Sequence, residues 1–325
     1  MKAVVITKAG GPEVLQLQDV PAPELKSNEV MIKVKAAGIN GADKMQRHGQ
    51  YPVPPGGSLY PGLEVSGTIE EVGKEVKGWK AGDEVCALLV GGGYAERVNV
   101  PAGQLLPIPK GVSLVDATGL PEVSCTVWSV VFMAAKLQEG ENFLIHGGSS
   151  GVGTFAIQMA KYKGAKVLVT AGSDEKLQAC KELGADVAIN YKSEDWVARV
   201  KHETGGKGAD VILDVMGAPY LSKNTESLAP DGRLIVLGLQ GGATGEINLG
   251  ALLAKRATIF VLALRSRPLE QKAHIVEEVR RNVWPAIEAG KVKPVIDRTF
   301  ELKDVVKAHE WVDSSGHIGK VLLLV

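Results

Sequence analysis

The residues with the clearest chemical potential form one short run, Gly147-Gly148-Ser149-Ser150-Gly151-Val152-Gly153. An apolar strand pattern (Phe143, Leu144, Ile145) leads into it. A helical pattern leaves it, with Val152, Phe155, Ala156, Met159 and Ala160 on one face. Strand, tight turn and helix N-terminus together make a pyrophosphate site. Residues without bulk let the backbone approach the phosphates, and the free N–H groups and positive end of the helix stabilise the anion. Against G-x-G-x-x-G, the outer glycines are Gly148 and Gly153, and Ser150 stands at the middle one. Ser149, Gly151 and Val152 complete the turn that would face the phosphates. Ser150 could hydrogen-bond the cofactor or approach a substrate, or it is simply a small residue tolerated there. A glycine cluster alone is a weak signal. The strand before it, the helix after it and a second strand (Lys166 to Thr170) at βαβ distance turn it into a predicted dinucleotide site.

The end of that second strand decides which dinucleotide. NAD-selective sites hold the ribose 2′-OH with an acidic residue about 20 residues past the glycine turn. Here the strand ends Val169-Thr170-Ala171-Gly172-Ser173, with Ala171 at the acidic position. Without a carboxylate, nothing repels a 2′-phosphate. Ser173 offers a hydroxyl and Lys176 a cation at a helix start, which points to NADPH. Asp174 and Glu175 pull the other way, and Lys176 is alternatively an ordinary solvated helix residue.

The elements that must position these groups follow a simple plan. Up to about residue 110 the chain reads as short strands (Met1 to Thr7, Glu29 to Ala36, Val65 to Val72, Asp83 to Leu89) cut by Gly/Pro turns, with a short helix at Gly41 to His48. That is the pattern of an irregular β-barrel. Helical pattern runs from Val123 to Lys136. After the glycine turn, strands (Lys166 to Thr170, Val187 to Asn190, Asp210 to Asp214, Arg233 to Gly238, Thr258 to Leu264) alternate with helices (Asp174 to Leu183, Glu194 to Glu203, Pro219 to Leu228). Each strand is an unbroken apolar run, as in a sheet covered on both faces, so the fold class is α/β with a six-stranded doubly wound parallel Rossmann sheet. A long amphipathic helix is expected from Leu269 to Ala289, then a helix between two short strands. The closing strand, Lys320 to Val325, finds no place in a completed sheet and is expected to return to the barrel. The predicted division is 1–122 with 266–325 for a discontinuous barrel domain and 123–265 for the nucleotide domain.

At 325 residues two domains are the default. Lys+Arg (37) balances Asp+Glu (37), which argues against nucleic acid. Cys86, Cys125 and Cys180 are dispersed, a reduced intracellular pattern without a disulfide framework or zinc knuckle. The opening MKAVVITKAGG breaks its apolar run too early for a signal peptide, and the apolar run Ala257 to Leu264 is too short to span a bilayer. No membrane and a cytoplasmic location are the expectations.

With those residues in hand, the chain resembles the medium-chain dehydrogenase/reductase superfamily, in its zinc-free quinone oxidoreductase branch. The resemblance runs through AAGINGADKMQRHGQYPVPPG, PGLEVSGTIEEVG, GGGYAERVNVP, IHGGSSGVGTFAIQMAK, VTAGSDEKL, LGADVAINYK, LDVMG, LRSR and HIGKVLL. DKMQRHGQY with GGGYAE and LRSR is most similar to the tumour-suppressor-inducible quinone oxidoreductases. The resemblance implies a GroES-like barrel beside the Rossmann sheet, with the nicotinamide in the cleft between them. Zinc-dependent relatives carry a ligand His in G-H-E and a ligand Cys near the end of the third strand. Here those positions are Leu63, in Gly62-Leu63-Glu64, and Asn40, and the structural zinc lobe is missing, so no metal is expected. Glu64 then reads as a buried structural carboxylate.

Site roles come with the resemblance. Asn40 (otherwise a loop-capping side chain) and Tyr51 (otherwise a packed loop aromatic) would face the acceptor, as amide donor and as phenolic donor or flat wall. Thr126 matches a family threonine near the nicotinamide, though a plain helix threonine is the alternative. Tyr191 matches a tyrosine near the adenosine 2′-phosphate. Gly238-Leu239, Leu262 to Leu264 and Lys320 match segments around the nicotinamide half or the phosphates. His146 reads as structural and Cys125 as core. The activity implied is NADPH-dependent reduction of quinones or other conjugated carbonyls. The rivals are an enoyl or alkenal double-bond reductase and a non-catalytic NADPH-binding protein of the crystallin or sensor kind. A homodimer is expected through the sixth Rossmann strand, Thr258 to Leu264.

Overall fold

Strands rich in Val and Ile, with one face turned inward, build the N-terminal part of the chain in a computed structural model that covers residues 1–325. They are β1 (Lys2–Ile6), β2 (Leu15–Asp19), β3 (Glu29–Gly38), β4 (Glu64–Val72), β5 (Glu84–Leu88), β6 (Arg97–Pro101) and β7 (Leu105–Pro107), with the short helix α1 (Gly41–Arg47) between β3 and β4. β3 is the centre of this sheet, antiparallel to both β4 and β6. β4 leads on to β5 and β7, and β1 and β2 pair separately. A register shift at Val34/Ala36 bends β3, and Gly67 lets β4 pass close by, since a Cβ there would lie 2.1 Å from the Lys33 carbonyl.

Helices α2 (Leu114–Ala117) and α3 (Pro121–Val127) follow, and α3 runs on into a π-helical stretch, Trp128–Ala134. The whole run from Leu114 to Ala134 is long and apolar enough to cross a bilayer by length and composition. However, 78% of its apolar window is buried inside the protein, which makes it a core helix.

The next part alternates strictly: β8 (Asn142–His146), α4 (Gly151–Tyr162), β9 (Lys166–Ala171), α5 (Asp174–Glu182), β10 (Val187–Asn190), α6 (Trp196–Glu203), β11 (Ala209–Asp214), α7 (Leu221–Ser227), β12 (Leu228–Val236), α8 (Leu249–Lys255) and β13 (Thr258–Val261). The six strands lie in the order β10-β9-β8-β11-β12-β13, all parallel. This is the Rossmann arrangement, with its crevice at the ends of the first strands. β11 is buried along its whole length, and Leu144, Leu168, Ile189, Ile212 and Leu234 join across the sheet in one core. The sixth strand is shorter than its apolar run suggested. It ends at Val261 rather than Leu264, because the chain leaves the sheet there and Leu264 is buried in the other unit.

The chain then forms α9 (Leu269–Asn282), α10 (Trp284–Glu288), β14 (Ile296–Glu301), α11 (Val305–Asp313) and β15 (Lys320–Leu324). The single helix expected over Leu269 to Ala289 is two. Pro285 has no N–H to continue the ladder, the helix breaks at Val283, and the Trp284 indole donates to the Pro107 carbonyl at 2.8 Å. β15 pairs antiparallel with β3 and parallel with β14, so the C-terminal strand does return to the barrel sheet. Val321 and Leu323 join Val30, Ile32 and Val65 in its core, under Val305 and Ala308 of α11.

The two compact units are Met1–Cys125 with Leu264–Gly290 and Pro294–Val325, and Thr126–Ala263 with Lys291–Lys293. The first boundary lies inside α3, three residues past the sequence division, because a helix carries no composition change at the point where it passes from one core to the next.

Candidate functional site

In the Rossmann unit the chemistry collects at the carboxyl ends of β8 and β9. Burial forces the β8 strand into the sheet, and Gly147 (φ 72°) turns it sharply out. Gly153 is required by a close approach: a Cβ there would sit 2.4 Å from the Gly147 carbonyl oxygen and 2.5 Å from that of Gly148. Gly148 packs over Val169, whose Cβ would be 2.8 Å from a Cβ added there. Ser150 is the N-cap of α4. Its Oγ accepts from the Gly153 N–H at 3.0 Å and donates to the Gly147 carbonyl at 2.8 Å. The Gly151 and Val152 N–H groups occupy the first helical turn, where no preceding carbonyl is available within the helix. This turn fits a pyrophosphate.

At the end of β9, Ala171 is buried and Ser173 is the N-cap of α5, accepting from the Lys176 N–H. Gly172 makes room for Tyr191: a Cβ there would lie 2.7 Å from the tyrosine hydroxyl and 3.2 Å from Lys192 Cε. Ser173, Lys176 and the exposed Tyr191 therefore stand at one strand end, and Lys192, which the sequence reading passed over, joins them. Its only sequence signal is its place beside Tyr191.

Beneath the turn runs a buried chain of polar groups. His146 Nδ1 meets Thr170 Oγ1 at 2.9 Å, its Nε2 meets Asn224 Oδ1 at 2.8 Å, and Asn224 Nδ2 donates to Asp214 at 3.0 Å. Asp214 also accepts from the Met216 and Gly217 N–H groups. Burial pushes the imidazole down to about 4 and the Asp214 carboxyl up to about 6, against its hydrogen bonds. The ends of β8, β9 and β11 are thus tied together, and His146 is structural. Gly238 lies against Val215, where a Cβ would be 2.6 Å from the carbonyl oxygen. Leu239 is exposed and Leu262 follows β13. Thr126 is buried on α3.

The barrel unit gathers a second set. Asn40 stands at the N-cap of α1, and its Nδ2 donates to Glu64 Oε1 at 3.0 Å. The Lys320 ammonium donates to Asn40 Oδ1 at 2.6 Å and to the Ile39 carbonyl at 3.1 Å, and it pairs with Glu64. Glu64, wholly buried, also accepts from the Glu122 N–H at 2.8 Å. The carboxylate read from sequence as structural is therefore the hub of this network, and Lys320, expected at the cofactor, has its ammonium engaged inside the barrel. Asp43 fixes the neighbouring turn. It accepts from the Asn40 N–H (2.8 Å), the Gly62 N–H (2.9 Å) and the Tyr94 hydroxyl (3.1 Å). Burial pushes its carboxyl up to about 6 and that of Glu122 up to about 8, the latter further raised by Glu64 and held back by Lys320.

Tyr51 is half-buried, with the Arg265 guanidinium 5.3 Å from its ring centroid. Burial raises its phenol above the usual range, with Glu122 adding to the shift and Arg265 opposing it. Leu264, beside Arg265, is buried. Asp43, Glu122 and Arg265 were not among the expected site residues, although Arg265 lies in the LRSR run. Leu63, at the metal-ligand position of zinc enzymes, is a core side chain, and no three His, Cys, Asp or Glu side chains come close enough to hold a metal.

Comparison with known proteins fits this architecture. Residues 26–110 match the alcohol dehydrogenase GroES-like domain family, and residues 151–280 match the zinc-binding dehydrogenase family. The chain is 36% identical to the quinone oxidoreductase of Rattus norvegicus over 100% of its own length and 98% of the relative's. Among solved structures, Escherichia coli quinone oxidoreductase complexed with NADPH superposes with a TM-score of 0.91 at 32% identity, each chain fully covered. The CurK enoyl reductase superposes at 0.88 with 26% identity, covering 99% of this chain and 98% of its own. The chain belongs to the medium-chain dehydrogenase/reductase superfamily, in its zinc-free quinone oxidoreductase branch.

Proposed function

We propose that this oxidoreductase is an NADPH-dependent, metal-independent reductase of quinones and related conjugated carbonyls. The observation that carries the cofactor choice is the end of β9. Ala171 stands where an NAD site keeps a carboxylate, the Tyr191 hydroxyl and Lys192 lie beside Gly172, and Ser173 and Lys176 open the helix that follows. Gly148, Ser149, Ser150, Gly151, Val152 and Gly153 would hold the pyrophosphate; Thr126, Gly238, Leu239, Leu262 and Leu264 would line the nicotinamide half. The bound cofactor supplies a hydride. The barrel's part is to orient the acceptor and meet its oxygen. Tyr51 offers a flat wall and Asn40 a polar face, and the Glu64–Lys320 pair holds Asn40 in place.

The test mixes purified protein with NADPH and, in turn, an ortho-quinone, a para-quinone and an unsaturated enone, following the reduced-nicotinamide absorbance. Oxidation with the quinones supports the reading. The likeness to an enoyl reductase favours a second reading, double-bond reduction, and turnover with the enone alone would select it. NADPH binding without oxidation by any acceptor would select the non-catalytic reading.

A further inference from the structure

Arg265 is 4% exposed, yet only its Nε has a partner, the Val90 carbonyl at 2.7 Å. Nη1 and Nη2 are both sealed from solvent without any hydrogen-bond partner. A guanidinium stays charged and has no acceptor capacity, so buried unmet N–H groups are expensive to keep. A glycine, not a side chain, borders these nitrogens. Gly91 has no side chain, and a Cβ there would touch Nη2 at 3.4 Å while colliding with the Ser58 carbonyl at 2.7 Å. The Tyr51 ring is on one side, its centroid 5.3 Å from the guanidinium carbon. No carboxylate pairs directly with the guanidinium, although the field of Asp43, followed by those of Tyr51 and Glu122, favours its charge. Glu122, whose field reaches Arg265, is pushed up to about 8 by burial and by Glu64, and it is then largely protonated at neutral pH. Lys272, another buried side chain in the field of both, adds a second positive group. The ordinary reason for burying arginine, a salt bridge, is missing here.

We propose that Arg265 is an oxyanion-receiving residue: its two Nη groups take up a phenolate- or enolate-type oxygen on a flat, conjugated acceptor lying against Tyr51. This rests on the reductase reading. A hydride carrying its electron pair forms a C–H bond on the acceptor, the conjugated π pair moves onto the carbonyl oxygen, and the cofactor is left oxidised. Arg265 meets the new negative charge with two N–H donors and keeps its own protons, and the oxyanion takes a proton from water. A fork aimed at the charged product state assists the reaction more than it assists ground-state binding.

The probe is 4-nitrophenol, whose anion absorbs differently from the neutral phenol, titrated into the full-length enzyme with oxidised cofactor. The wild type is expected to bind it as the anion at a pH where the free phenol is mostly neutral. Arg265→Met should weaken that binding at least about tenfold and lower kcat for a conjugated acceptor about a hundredfold, with NADPH affinity unchanged. Arg265→Lys, which keeps the charge but loses the fork, should fall between. A purely structural arginine would behave otherwise. Its replacement would lower the melting temperature, whereas removing a buried group with two unmet donors is expected to leave it level or raise it. Failure of the wild type to bind nitrophenol, binding of the neutral form, or equal affinity in Arg265→Met overturns the proposal. Because binding is read without turnover, anion binding by a protein that oxidises no NADPH would defeat the reductase reading alone.

Discussion

Ala171 is a single buried methyl group at the end of β9, and the proposed cofactor preference turns on it. Ala171→Asp would set a carboxylate among the groups expected to hold the 2′-phosphate. Two like charges within a few ångströms repel by about 1–3 kcal/mol at intermediate dielectric, so NADPH binding should weaken about ten- to a hundredfold while NADH binding changes little. Fluorescence titration with both cofactors checks it, and an unchanged ratio would mean that the phosphate is held elsewhere. His146 gives a second prediction. Its folded-state value of about 4 lies below the unfolded value of 6.5, so the unfolded chain takes up a proton first as pH falls. The stability of the native protein is unaffected by this group above about pH 7 and declines through the window from 6.5 to 4. Asp43 and Asp214, raised to about 6, act in the opposite sense, gaining protons in the native state first. Comparison with His146→Gln isolates the histidine: the variant's disadvantage in urea denaturation should shrink by about 2 kcal/mol between pH 7 and pH 4.5. A constant difference would mean that the imidazole is not held neutral. At this scale the sequence was informative where chemistry is local. Ser150 and the glycines of the turn are recognisable within a few residues of one another, and Ser173 within a few residues of Ala171 at the end of the next strand. Arg265 was not recognisable as a site residue, because its Nε partner is Val90, 175 positions away, and an unmet donor exists only once the barrel has folded.

At the scale of elements, the β8–α4 junction works because no side chain stands between the strand end and the helix. Gly153→Ala would place a methyl 2.4 Å from the Gly147 carbonyl, and both collision partners are backbone, so the turn itself must open. We expect about 2–3 kcal/mol of destabilisation and at least about a tenfold loss of NADPH affinity. Gly67→Ala, with a 2.1 Å approach to the Lys33 carbonyl in the barrel sheet, is the comparison. It should lower the melting temperature by a similar amount yet leave cofactor affinity intact below that temperature. Calorimetry and cofactor titration on the same two variants separate the outcomes, and equal affinity in both would deny the turn its role. The same local logic explains which elements could be read in advance. The parallel strands are continuous apolar runs, and β10 was placed to the residue. β2, β6, β7 and α8 were missed because they are short, lie at surfaces or edges, and carry weak periodicity. The break at Val283 was available in principle from Pro285, but the apolar stripe continues across it and hides the interruption.

The whole molecule leaves one edge unfinished. β13 pairs only with β12, and its free side exposes Val261 at 73%. On α8 of the same unit, Leu249 and Leu253, one helical turn apart, are 72% and 80% exposed. A short apolar edge strand with no lysine, proline or bulge to protect it is an invitation to pair with another strand. Two copies related by a two-fold axis would satisfy both edges at once with the same residues. The sequence pointed to this strand through its composition, and the fold adds that the strand is last in the sheet, so its outer backbone groups have no partner within the chain. We therefore expect a homodimer at micromolar concentration by light scattering. Val261→Lys should shift it to monomer by placing a charge on that edge, without altering NADPH affinity, since the cofactor turn lies at β8 and β9, separated from β13 by β11 and β12. A wild type that is monomeric throughout would leave the apolar edge without a partner of its own kind. A Val261→Lys protein that remains dimeric would move the interface to another surface.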